Sequence, residues 1–170
     1  MHELNTDFDP NDKPGSYERL RRQLAALLAG ESDLIANAAN TSALLYTTLP
    51  GVNWVGFYLL RAGELVLGPF QGKPACVRIA LGKGVCGTAA SQRATVRVGD
   101  VHAFPGHIAC DPISRSELVV PLIEAGAVSG VFDLDSPLVA RFDRVDQEGC
   151  ERLVTQLLDQ HRQYLRGSSR

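Results

Sequence analysis

Up to Leu49 the apolar side chains recur at helical spacing, and from Asn53 onward they alternate; this change of period restricts the fold more than any other feature. Two helices, then strands, then a last helix is not the regular strand–helix alternation of a parallel sheet, and it predicts an α+β domain. Before the change, Leu20, Leu24, Leu27 and Leu28 form one stripe between a Ser16 cap and Gly30. Leu34/Ile35, Ala38, Thr41/Ser42 and Leu45 form a second over about 32–49, stopped by Pro50-Gly51. After the change, Trp54–Leu60, a run starting at Leu65, Cys76–Ala80 and Thr95–Val98 read as strands, with a helix of small residues over 85–91. Glu117–Ile123 and Ala127–Leu134 read as a hairpin around Glu124-Ala125-Gly126. A final helix, capped near Asp143, carries Cys150, Leu153, Val154, Leu157, His161, Tyr164 and Leu165 on its apolar stripe. Residues 1–15, with Asp, Asn, Pro and Gly and no apolar period, read as a flexible lead-in, and 16–166 as one domain.

Composition excludes several roles. A net charge of -2 and a pI near 6.1 leave no basic field for nucleic acid or a membrane surface. No apolar run reaches the roughly 18 residues of a membrane span. The start, Met1 to Asp7, is polar and acidic rather than basic and apolar, so a cytoplasmic protein is expected. In that compartment structural disulfides are rare, and the 4 cysteines read as metal ligands, reactive thiols or small buried hydrophobes.

Cys150, on the helical stripe, reads as core packing. Cys86 follows Gly82-Lys83-Gly84 at a helix start, where the dipole favours a thiolate. Cys110 ends His102 to Ala109 in a long loop over 101–116, and a thiol on a polar loop with nearby histidines is the setting of a nucleophile. His102, His107 and Cys110 could hold zinc, but the chain has no C-x-x-C pair, and neither metal nor cofactor is expected. Asp133 and Asp135 leave one face of a strand while Phe132 and Leu134 leave the other. Cross-strand pairing brings Glu117 to the same acids, and crowding should raise at least one pKa and leave a proton to donate. Trp54, Gly56 and Tyr58 share a strand face, and the gap at Gly56 between two aromatic walls suits a thioether methyl.

Together these segments resemble the free methionine-(R)-sulfoxide reductases, a branch of the GAF-domain superfamily. The resemblance runs from about Leu34 to Cys150. It is densest in Asn53–Tyr58, Phe70–Cys76, Gly84–Ala89, Asp100–Asp111, Ser116-Glu117 and Gly130–Ser136. It implies a single GAF domain over 16–166, with a central antiparallel sheet flanked by N- and C-terminal helices and a pocket on one face. It also implies roles: Cys110 as nucleophile, Cys76 as its main disulfide partner with Cys86 also in the site, Glu117, Asp133 and Asp135 as pocket acids, and Trp54 and Tyr58 as walls. The chemistry implied is attack of a Cys110 thiolate on the sulfoxide sulfur of free methionine-(R)-sulfoxide, a sulfenic acid, an intramolecular disulfide, and a reset by thioredoxin. A homodimer is left open. The rival reading is a GAF module that binds a small molecule or senses redox state without turnover, because that fold hosts many functions.

Overall fold

The computed structural model describes residues 6–106 and 111–167, the side chains of 163–167 excepted, so Tyr164 and Leu165 of the expected stripe lie outside the described side chains. Helix α1 spans Lys13–Leu28. It starts before Ser16 because the Asp12 carboxylate accepts from Gly15 N at 3.0 Å, while the buried Ser16 hydroxyl accepts from Asp9 N at 3.0 Å. Helix α2 spans Leu34–Thr48 and is capped by Asp33, which accepts from Ala36 N at 2.8 Å.

Then come strands β1 (Trp54–Arg61), β2 (Glu64–Gly72) and β3 (Arg78–Ala80), helix α3 (Gly84–Gln92), strand β4 (Val96–Val98) and a single 3-10 turn at Val101–Ala103. Strands β5 (Ser116–Glu124) and β6 (Ala127–Ser136) and helix α4 (Arg144–Gly167) complete the order. The expected third strand is shorter than its apolar run, since the Cys76 carbonyl accepts the Tyr58 hydroxyl at 3.0 Å rather than a ladder bond. The six strands form one antiparallel sheet in the order β3-β2-β1-β6-β5-β4. No helix among the described residues is long and apolar enough to cross a membrane.

Strand alternation divides the interior in two. On one face Val55, Phe57, Leu59, Leu118, Val120, Leu122, Phe132 and Leu134 pack under α1, α2 and α4. Phe57 and Phe132 are fully buried with ring centroids 4.7 Å apart, and truncating either to alanine should cost about 3–5 kcal/mol. The other face carries Trp54, Tyr58, Val119 and Val131 under α3. The three long helices therefore sit away from the face that holds the cleft.

The helical layer has its own polar centre. Asp146, fully buried, accepts from the Tyr17 hydroxyl at 2.9 Å, from Lys13 Nζ at 2.6 Å, from Arg141 Nη1 at 3.1 Å and from the backbone of Asp143 at 2.9 Å. Gly149 makes room for it: a Cβ there would lie 2.4 Å from the Tyr17 ring. Cys150 is buried beside this group as a free thiol, and burial followed by the nearby Asp146 charge pushes it up to about 12.

Candidate active site

The open face of the sheet holds a cleft of about 550 Å³, the open space at its mouth included. Its floor is Trp54 and Tyr58 from β1, Glu117 from β5, and Asp133 and Asp135 from β6. Register brings them together: Trp54 pairs with Asp135 across β1–β6, and Glu117 pairs with Asp135 across β5–β6. One side is the start of α3, with Gly84, Val85 and Cys86; the other is the Lys73–Ala75 segment, and Asp111 and Ser114 close the rim.

The acids are hard to ionise. Burial lifts Asp133 to about 7. Burial and then the charges of Asp133 and Asp135 lift Glu117 well above the carboxylate range, and burial followed by Asp133 and Asp111 does the same for Asp135. Asp133 and Asp135 make no ion pair among the described residues, and Asp133 Oδ1, in a residue 5% exposed, has no hydrogen-bond partner. Neighbouring carboxylates therefore add to burial at Glu117 and Asp135, as crowding predicts, whereas at Asp133 burial alone raises the pKa.

Cys86 differs from expectation. It lies in the first turn of α3, but it is buried against the acids, and its Sγ donates to Glu117 Oε1 at 3.8 Å. Burial, then Asp133 and Glu117, raise its pKa well above the usual thiol value, so the helix dipole loses and the group is a thiol. Cys76 is disulfide-bonded, whereas Cys86 and Cys150 are free. Cys110 and His107 lie outside the described residues. His102 lies away from the cleft, with its exposed Nδ1 3.1 Å from Asp100 Oδ1.

The aromatic walls are present, but the gap at Gly56 is not. The indole of Trp54 lies over Gly56 between Tyr58 and Phe70, with ring centroids at 5.9 and 5.3 Å, and a Cβ on Gly56 would meet the Phe70 Cβ at 2.4 Å. Gly56 lets the indole lie flat rather than opening a slot. Trp54 Nε1 donates to the Lys73 carbonyl at 3.1 Å, so both aromatic residues hold the loop that carries Cys76. Sequence reasoning did not single out Lys73 and Asp111, 3.4 Å apart at the mouth, although both lie within the motif segments. Backbone donation from Ile113 and then Lys73 keeps Asp111 below the usual carboxylate range. Asn53 Nδ2 bonds Ser114 Oγ at 3.0 Å and fixes this rim.

A GAF domain model matches residues 38–158. The free methionine-R-sulfoxide reductase of Escherichia coli (strain K12) is 53% identical over 146 residues, covering 86% of this chain and 88% of that protein. The chain belongs to the free methionine-R-sulfoxide reductase family. The family member of Saccharomyces cerevisiae is 42% identical over 162 residues, covering 90% of each chain. Among solved structures, the free methionine-R-sulfoxide reductase of Neisseria meningitidis, in complex with its substrate, superposes with a TM-score of 0.89 at 46% identity, covering 95% of this chain and 96% of that one.

Proposed function

We propose that this protein reduces free methionine-(R)-sulfoxide to methionine, with Cys110 as nucleophile and Cys76 as the thiol that resolves it. One observation carries the reading: three proton-holding acids, Glu117, Asp133 and Asp135, share a small aromatic-walled cleft with the disulfide-bonded Cys76. The named activity of the relatives in Escherichia coli and Saccharomyces cerevisiae supports it.

A sulfoxide sulfur is electrophilic, and its oxygen leaves poorly until protonated. The Cys110 thiolate attacks that sulfur, and a buried acid, Glu117 or one of the two aspartates, protonates the oxygen. The sulfur–oxygen bond breaks, methionine departs, and the oxygen stays on Cys110 as a sulfenic acid. The Cys76 thiol displaces it as water and forms a disulfide. A role for Cys76 as the resolving thiol is supported by its being disulfide-bonded. Two electrons from an external dithiol of the thioredoxin kind return both sulfurs to thiols.

The acids also explain a preference for the free amino acid. Its ammonium can be held by Asp133 and Asp135 through charge-assisted hydrogen bonds, and a peptide-bound residue has lost that charge. For the substrate carboxylate, the cleft offers the first turn of α3, whose backbone N–H groups have no helical partner, with Lys73 and Lys83 nearby.

The test is a thioredoxin assay coupled to NADPH on each diastereomer, free and N-acetylated. Only the free R form should turn over. Equal rates on the N-acetylated form would remove the ammonium argument, and binding without any turnover would favour the sensor reading. Cys110→Ser should abolish the methionine burst, since a hydroxyl is a far weaker nucleophile than a thiolate. A burst that survives Cys110→Ser but is lost in Cys86→Ser would assign the nucleophile to Cys86.

A further inference from the structure

The cleft holds a second chemistry that sulfoxide reduction does not use. One ligand atom each from Cys86, Glu117 and Asp133 lies within 4.8 Å of the others, and all three residues are buried. The Cys86 Sγ–Glu117 Oε1 separation is 3.8 Å, close to the ~3.5 Å between donors bound tetrahedrally at the usual zinc distances of about 2.0–2.3 Å. An independent sign that the cluster is incomplete is Asp133 Oδ1, which is buried, lines the cleft and has no hydrogen-bond partner among the described residues.

We propose that Cys86, Glu117 and Asp133 form an inhibitory site for a thiophilic divalent cation of the zinc class, which closes the cleft to substrate. Three donors converge in residues that line the cleft, which leaves a fourth position for an exchangeable ligand, as in zinc sites with three protein ligands. One sulfur and two carboxylate oxygens suit zinc or cobalt. Magnesium and calcium want six or more oxygen ligands and several waters, which a buried thiol denies them. The cation displaces the thiol proton and the carboxyl protons, and the resulting three negative charges more than neutralise it. It then occupies the acids that an incoming ammonium needs, so zinc and substrate exclude one another. This site shares no histidine with the set that the sequence offers for zinc, His102, His107 and Cys110.

The experiment uses the oxidised full chain without substrate, so that Cys76 is held in its disulfide and the outcome does not depend on turnover. Titration with Co2+ should saturate at one ion per chain and give a thiolate-to-cobalt charge-transfer band that Zn2+ abolishes by displacement. Cys86→Ser should remove the band. Asp133→Asn and Glu117→Gln, which keep side-chain shape, should weaken Co2+ by at least about tenfold. Cys150→Ala should keep the band. No band at one equivalent, or a band that survives Cys86→Ser, overturns the proposal. In the reduced enzyme Zn2+ should raise the apparent KM for sulfoxide. Cobalt binding with no turnover would leave the cation site standing and remove the reductase reading, and turnover with no cobalt binding would do the reverse.

Discussion

Both faces of the sheet bury a carboxylate beside a free cysteine, and the two pairs are built in opposite ways. Under the helices, Asp146 is fully enclosed and met by a tyrosine hydroxyl, a lysine, an arginine and a backbone amide. In the cleft, Asp133 is also buried but keeps an oxygen with no hydrogen-bond partner among the described residues, while Asp135 and Glu117 stand beside it. Asp146 joins α1, α4 and the segment before α4 into one layer. Asp133 and Asp135 meet no cation among the described residues, and with Glu117 they favour the protonated form instead. Buried charge is affordable where the fold supplies cations and donors, and where it does not, the group turns neutral and becomes chemically useful.

The largest effect expected is at Asp146. Asp146→Asn leaves the nearly buried Arg141, 9% exposed at the side chain, without its anion and Lys13 with only the exposed Asp143, and should lower unfolding free energy by about 3–5 kcal/mol in urea titrations. The same change at Asp133 should not. Equal losses at the two positions would break the contrast.

The pH dependence sharpens it. The folded-state pKa of Asp133 is raised to about 7 from an ordinary value of 3.8, so the folded state binds the proton more tightly than the unfolded chain. Its penalty is absent below the unfolded pKa and grows as pH rises from about 4 to 7. Stability should fall over that window by an amount on the order of 1–3 kcal/mol, and Asp133→Asn should flatten the fall. The measurement is the urea midpoint at a series of pH values. A wild-type curve flat from pH 4 to 7 would mean that the cleft acids are ionised.

The smallest effect concerns the structural thiol. Cys150→Ser puts a hydroxyl into the core and should cost about 1–2 kcal/mol with turnover unchanged. A loss of turnover without a loss of stability would place Cys150 in the chemistry and end its role as a packing residue.

Much of this contrast was legible along the chain. Alternation from Trp54, the hairpin around Ala125-Gly126 and the spacing of Asp133 and Asp135 gave the sheet and put the acids on one face, because period-2 geometry depends on near neighbours alone. The Asp146 group could not be read so. Its members come from α1, from the segment before α4 and from α4 itself, and nothing local marks Lys13 or Arg141 as partners. The same holds for Cys86. Its helix start was visible, but the burial that decides its protonation is set by β5 and β6. Gly56 misled for a related reason: the missing side chain was plain, yet what fills the space, the indole of Trp54, depends on Phe70 across the β1–β2 pair.

The strand order has a kinetic side. The β1–β2 and β5–β6 pairs are hairpins, formed between neighbours in the chain, but β1 lies against β6, so the Trp54–Asp135 pairing closes a loop that contains the other four strands. Closing so long a loop is entropically slow compared with zipping either hairpin. A growing chain can therefore form each half of the sheet while Trp54 and Tyr58 remain far from Asp133 and Asp135. Until that central seam closes, the acids of β5 and β6 stand without the aromatic walls that β1 supplies, and the cleft has no floor on which to seat a ligand.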